Sequence, residues 1–131
     1  MQERPEYHDV VAEVSGFLLR ERTACLEAGI ARGAIVFDPG LGFGKGHVHN
    51  LALLKNLGHL AALDSPLLVG VSRKSLIGRV LGRATQERLY GGLGLAAWAV
   101  SVGARVIRTH DVAPTRDAIR MVTAVMEGTV N

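Results

Sequence analysis

Three short stretches of this chain place reactive side chains directly after an apolar run. Ala34-Ile35-Val36-Phe37 leads into Asp38, Pro66-Leu67-Leu68-Val69-Gly70-Val71 into Ser72-Arg73-Lys74, and Arg105-Val106-Ile107-Arg108 into Thr109-His110-Asp111. A carboxylate at Asp38 can accept two parallel N–H donors, which suits a ligand edge such as an amino-pyrimidinone; it equally suits a turn cap. Arg108 and His110 alternate with Thr109 and project to one side. Such a pair makes an anion site, with the planar guanidinium meeting phosphate oxygens two at a time. Arg73 and Lys74 are adjacent, so in extended backbone their side chains diverge, one to the pocket and the other elsewhere. Ser72 suits either a ligand contact or the cap of a following helix. Asp111 is expected to cap a helix or orient a neighbour.

Between the first and second stretches lies Asp38-Pro39-Gly40-Leu41-Gly42-Phe43-Gly44-Lys45-Gly46. A phosphate loop would need Gly where Pro39 stands and Ser or Thr where Gly46 stands, and the G-x-G-x-x-G spacing also fails. A Rossmann nucleotide site is therefore disfavoured. Glycines such as Gly42 still allow close approach of backbone to ligand. Phe43 in their midst either stacks on a flat ligand or caps the core. His47, His49 and His59 are expected on the surface, since no Cys or acid nearby completes a ligand set with His47-x-His49. The residues offer no Ser-His-Asp nucleophile and no carboxylate dyad.

The elements that must position these groups follow from periodicity. Tyr7 to about Ala28 reads as a helix, with Val11, Val14, Leu18 and Cys25 near one face, Pro5 near its start and Gly29 placed to end it. The three apolar runs are short and read as buried strands. A second helix is expected from about His49 to Leu63, and a third from Gln86 to about Val102. The third is apolar almost all round from Leu93, so it should be buried on more than one side. Pro114 opens a last helix carrying Ala118, Ile119, Val122, Val125 and Met126. The order is α-β-α-β-α-β-α. The strands begin near 34, 66 and 105, about one βα repeat apart, which predicts an α/β fold with a parallel sheet. In such folds ligands bind at the C-terminal ends of the strands, where all three clusters fall.

The chain has 131 residues and a formal net charge of +3, with 48% apolar and 21% charged residues. That composition excludes disorder as the main state. No long run free of charge or Gly breaks suggests a membrane span, and Glu3, Arg4, Glu6 and Asp9 argue against a signal peptide. Twelve arginines face three lysines without a basic run, so nucleic acid is not an expected partner. The single Cys25 excludes an intrachain disulfide and fits a reducing cytoplasm. Three parallel strands are too few for an eight-stranded barrel of about 250 residues. Part of the fold is therefore expected to lie outside this chain or in another copy.

The motifs Asp38 through Lys45, Gly70-Val71-Ser72-Arg73-Lys74-Ser75 and Arg108-Thr109-His110-Asp111-Val112, with the entry Met1-Gln2 through Tyr7-His8-Asp9-Val10-Val11, resemble dihydropteroate synthases. The likeness runs over essentially the whole chain. It implies a partial (β/α)₈ TIM barrel: residues 1–131 would be the C-terminal half of a pterin-binding domain, starting in the helix after strand five and supplying strands six to eight. It implies a transferase that joins p-aminobenzoate to dihydropterin pyrophosphate in folate biosynthesis, releasing pyrophosphate with help from Mg²⁺. The expected protein ligand of that ion lies in the family's first strand, outside this chain. By the resemblance Asp38 would hydrogen-bond the pterin edge, Lys74 would bind the pterin ring, and Arg108 would line the pterin pocket and, with His110, hold the leaving phosphates. Ser72 and Phe43, beside Gly42, would border the p-aminobenzoate site, with Arg73 supporting that wall. The family also implies a homodimer through the last helices.

Two other readings stand beside this one. A half-barrel could be a non-catalytic pterin-binding or oligomerising unit, motivated by the apolar helix near 93–102. A related methyltetrahydrofolate-binding protein is the third, against which Ser72-Arg73-Lys74 argues. The isolated chain is expected to be inactive, and its unpaired strand sides to promote association.

Overall fold

In the computed structural model of the protein, residues 6–130 are described. The expected contribution of Pro5 to the first helix, and the Met1-Gln2 end of the entry motif, lie outside them. Helix α1 spans Val10–Glu27. Its start is capped by Asp9, whose carboxylate accepts from the Ala12 N–H at 3.0 Å, while Glu13 reaches back to the N–H groups of His8 and Asp9. Its end is a Schellman turn: Ile30 N–H donates to the Cys25 carbonyl and Gly29 N–H to that of Leu26, both at 3.0 Å. Gly29 holds φ +91° there, with open space where a Cβ would stand. Gly29→Ala is therefore expected to cost about 1 kcal/mol through backbone strain alone, measured as a lower urea midpoint with an unchanged slope. A shift indistinguishable from zero would remove the assigned role of this turn.

The expected second helix is broken in two, α2 (His47–Lys55) and α3 (Leu57–Ala61). The break falls at Asn56, whose side-chain amide donates to the Ala52 carbonyl at 2.8 Å. A side chain that bonds backbone in this way competes with the helical ladder. Leu53, Leu57 and Leu60 from these helices have no solvent exposure, and with Leu67 and Val69 they form the centre of the core. Val10, Val14 and Leu18 of α1 close it from one side.

Strands β1 (Leu68–Gly70) and β2 (Val106–Arg108) pair in parallel, with Leu68 opposite Val106 and Gly70 opposite Arg108. The expected strand at Ala34–Phe37 is reduced to one parallel bridge, Phe37 to Leu67. Ala34 belongs instead to a tight 3-10 turn over Arg32–Ala34. Phe37 has one neighbour, through its N–H to Pro66 O and its carbonyl from Leu68 N–H, and nothing in the described residues pairs with its other side. A strand with only one partner has no second ladder to extend it. β1 is the inner strand and is buried; β2 exposes Val106 and Arg108 and is not the buried strand its composition suggests.

Two further differences lie after β1. A helix not expected from the sequence, α4 (Ser75–Leu81), follows Lys74 at once and ends at Gly82. The third expected helix starts later: a 3-10 turn at Thr85–Glu87 precedes α5 (Leu89–Ser101). Only Ala96 and Ala99 of α5 are fully buried, and Trp98 is 45% exposed, so α5 is covered on one side and open on another. Helix α6 (Val112–Glu127) packs on α5 and begins two residues before Pro114. Proline is tolerated at that place because the first turn's N–H groups have no helical partner. The architecture is α/β, with the polar strand ends gathered on one edge.

Candidate functional site

The three strand ends converge. Asp38, Phe43, Ser72, Arg73, Lys74, Arg108 and His110 line one open cleft of about 780 Å³, together with Gly70, Thr85 and Thr109. Of the residues that the resemblance assigns to the substrates, Gly42 alone lies outside this lining.

Asp38 does both things its type allows. One oxygen accepts from the Gly40 N–H at 2.9 Å, closing a turn, and the other from Arg108 Nη1 at 3.3 Å. Gly70 makes room for that guanidinium: a Cβ there would stand 2.8 Å from Arg108 Nη2. Ser72 is not a helix cap. Its hydroxyl accepts from the His110 N–H at 3.2 Å and lies 2.9 Å from His110 Nδ1, tying the second strand end to the third.

Arg73 and Lys74 do not diverge as extended neighbours would. Arg73 adopts φ +57°, a left-handed turn that brings both side chains to the same cleft. Its guanidinium makes a forked pair with Asp111, at 2.8 and 3.3 Å. Asp111 thus orients a neighbour and makes no side-chain cap to α6. Lys74 Nζ sits 4.3 Å from the centroid of the Phe43 ring. Burial pushes the Lys74 ammonium below the usual lysine range, nearby Arg108 adds to that, and Asp38 opposes it. Phe43 is 63% exposed, so it presents its ring to the cleft and does not cap the core. Gly42 holds φ +83°, and a Cβ on it would stand 3.2 Å from Lys74 Cδ. Gly42→Ala is expected to push Lys74 off the Phe43 ring and to lower stability by about 1 kcal/mol, read as loss of the Lys74-to-Phe43 nuclear Overhauser contact. Persistence of that contact would contradict the assignment.

Two residues that hold the loop were not singled out from the sequence. Asn50, only 3% exposed, accepts from the Gly42 N–H at 2.9 Å and donates to the carbonyls of Lys45 and Gly46. Its signal was positional: Asn50, Leu53, Leu54 and Leu57 follow the spacing of one buried helical face, and a polar residue in that series must have a partner. Lys45 Nζ donates to the carbonyls of Gly40 and Phe43, both at 3.0 Å, and burial pushes its ammonium below the usual range against the pull of Asp38. His47 and His59 are exposed as expected, whereas His49 is half-buried with its ring edge-on to Tyr7 at 5.1 Å. Among the described residues, no three His, Cys, Asp or Glu side chains come together as a metal site would require. No helix among them is long and apolar enough to cross a membrane.

The Arg73 hydrogen bond and charge hold Asp111 below the usual carboxylate range. A carboxyl whose folded pKa is depressed contributes stability that is present above its unfolded pKa and lost as pH falls through the folded value. Wild type is therefore expected to be more stable than Asp111→Asn at neutral pH, with the gap closing below the ordinary aspartate range in acid denaturation. A gap independent of pH would refute this pairing.

The sequence profile of the family described as pterin binding enzyme matches residues 1–110. The chain belongs to the pterin binding enzyme family. Among curated relatives, dihydropteroate synthase of Escherichia coli is 45% identical over 131 residues, covering all of this chain and 46% of that protein. Dihydropteroate synthase of Neisseria meningitidis serogroup B is 46% identical over 125 residues, covering 92% of this chain and 44% of that protein. Among solved structures, Yersinia pestis dihydropteroate synthase with a sulfonamide drug superposes with a TM-score of 0.93 at 39% identity, over 98% of this chain and 47% of that one. The Xanthomonas albilineans enzyme in complex with 7,8-dihydropteroate gives 0.91 at 41% identity, over 96% and 48%. The resemblance read from the motifs is thereby borne out. This pterin binding enzyme chain spans about half the length of the curated relatives it matches.

Proposed function

We propose that this chain supplies the C-terminal half of a dihydropteroate synthase barrel, with the Phe37 bridge, β1 and β2 standing where barrel strands six to eight would. The observation that carries the reading is the gathering of Asp38, Ser72, Lys74, Arg108 and His110 in one cleft at the strand ends. A flat heterocycle with N–H donors on one edge suits Asp38, with Lys74 against the ring. Arg108 and His110 face the same space and suit the pyrophosphate. Phe43, Ser72 and Arg73 border the remaining side, where p-aminobenzoate would lie. Its amine nitrogen attacks the pterin methylene carbon, the carbon–oxygen bond to pyrophosphate breaks, and the nitrogen loses a proton. The residues of this chain then contribute positioning and stabilisation of the leaving anion.

Among the described residues no three His, Cys, Asp or Glu side chains come together to hold a magnesium ion. In this proposal Mg²⁺ is held by groups outside the chain. A cytoplasmic setting goes with the one free cysteine. The test is calorimetry with a non-hydrolysable pterin pyrophosphate analogue, on the chain alone and joined to the segment that completes the barrel. Binding by the completed barrel is expected, with little by the chain alone. No binding by either would sink the reading.

A second reading, self-association, rests on a separate observation. Helix α6 leaves Met121 67%, Val125 75% and Met126 55% exposed, and Trp98 of α5 is half-exposed. A homodimer through these last helices would cover them. Sedimentation is expected to give a dimer or larger species, and a stable monomer at high concentration would overturn it.

A further inference from the structure

We propose that Arg88 is a positioning residue for the substrate wall, acting by holding Arg73 in its left-handed turn. The proposal rests on the reading of the cleft given above. Arg73 is one of two non-glycine residues with positive φ among the described residues, the other being Asp64. A side-chain-bearing residue adopts that conformation at a cost, so its surroundings must enforce it. The turn matters because it aims Arg73 and Lys74 into one cleft, whereas extended backbone would send them to opposite faces.

The enforcing group is the Arg88 guanidinium. Arg88 Nη1 donates to the Arg73 carbonyl at 3.1 Å, and Arg88 Nε donates to the Arg83 carbonyl at 3.1 Å. One planar guanidinium thereby links the Arg73 turn to the loop that precedes α5. It reaches Arg73 by passing over Gly78 of α4, where a Cβ would stand 2.7 Å from Arg88 Cζ. Gly78 is thus the channel for the side chain. Arg88 does not line the cleft, so it acts through Arg73 and touches no substrate.

The experiment uses the completed barrel carrying this chain, with kinetics for R88M, R73M and the double variant. R88M and R73M are each expected to raise KM for p-aminobenzoate about tenfold, the scale of one lost charge-assisted hydrogen bond, with kcat changed far less. The double variant is expected to match R73M alone, because both act on one wall. R88K, with a single point donor, should restore only part of the loss. Should R88M fold poorly, G78A displaces the same guanidinium and is expected to give the same rise in KM. An unchanged KM in R88M, or effects that multiply in the double variant, would overturn the inference. If the wild-type barrel makes no dihydropteroate, the reading of the cleft fails. Arg88 is then judged on the chain itself by the Arg73 Nε–H resonance, protected by its bond to Asp111. Loss of that protection in R88M supports the role, and its retention overturns it.

Discussion

Arg108→Met in the completed barrel is expected to lower kcat for dihydropteroate formation by about 10²–10³-fold, the scale of removing one preorganised donor from a developing anion. Among the described residues the guanidinium is held at one corner, by Asp38 at 3.3 Å, and more than half of its side chain remains exposed. Its other N–H groups are free to meet two oxygens of a phosphate in parallel, which no other side chain does with the same fork. The local charge is arranged for this. Arg108 is one of the causes that push the Lys74 ammonium down, and the single carboxylate of Asp38 stands against both cations. An incoming pyrophosphate relieves that repulsion, and the relief grows as negative charge builds on the departing oxygen. The loss should therefore fall on kcat, with KM for p-aminobenzoate little changed. Arg108→Lys should recover part of the rate, since charge survives while the fork does not. Gly70→Ala, whose Cβ would stand 2.8 Å from Arg108 Nη2, should shift the same parameter in the same direction by less. Single-turnover measurement of pyrophosphate release decides the matter. A kcat for Arg108→Met within about threefold of wild type, less than a single neutral hydrogen bond can account for, would remove Arg108 from the machinery.

The cleft was legible in the sequence because its chemistry is concentrated at element ends. Apolar runs that stop abruptly at Asp38, Ser72 and Arg108 mark where the backbone leaves the core, and strands that run parallel bring those ends together. What was not legible was the angle at which each side chain leaves. Arg73 and Lys74 face one cleft only because Arg73 turns left-handed, and that turn depends on Arg88, a residue fifteen positions away. Ser72 suited two roles equally until the third strand end stood beside it with His110. Phe43 stood equally between core and ligand, and was decided by the position of Lys74 above its ring.

Two of the errors in the elements, at Ala34–Phe37 and in α5, have a common origin. Periodicity reports which residues are buried in the whole assembly, and this chain is about half the length of its relatives. Ala34–Phe37 carries a strand's composition, yet only Phe37 finds a partner. Helix α5 carries the composition of a fully enclosed helix, yet Trp98 stays 45% exposed, with its indole N–H on the Leu54 carbonyl. Helix α4 was hidden differently: its seven residues are too few for a clear period, and it begins directly at the reactive Ser72-Arg73-Lys74 stretch. Asn56 broke a continuous leucine pattern by bonding backward to Ala52, a choice that no spacing rule records.

Asp38→Asn is expected to weaken binding of a pterin pyrophosphate analogue to the completed barrel by about 10²-fold or more, the combined effect of two altered hydrogen bonds to a charged group. The substitution is nearly isosteric, and the amide oxygen can still accept from the Gly40 N–H, which lies 2.9 Å from the carboxylate in the wild type. The turn that launches the glycine loop should therefore survive, and the melting temperature should move little. What changes is the pattern of donors and acceptors. An ionised carboxylate only accepts, so Asp38 can serve Arg108 and a two-donor ligand edge together. An amide has one accepting oxygen and one donating nitrogen. If its oxygen stays on Gly40, its NH₂ is left facing both the Arg108 guanidinium and the N–H groups of the pterin edge. Donor then opposes donor, and the ligand loses an acceptor in a site where water is partly excluded. A site built to hydrogen-bond one edge discriminates strongly when that pairing is broken. Calorimetry should show the loss in affinity without loss of fold. Unchanged affinity in a folded Asp38→Asn barrel would mean that the pterin edge is recognised by groups outside this chain, with Asp38 serving only the Gly40 turn and the Arg108 pair.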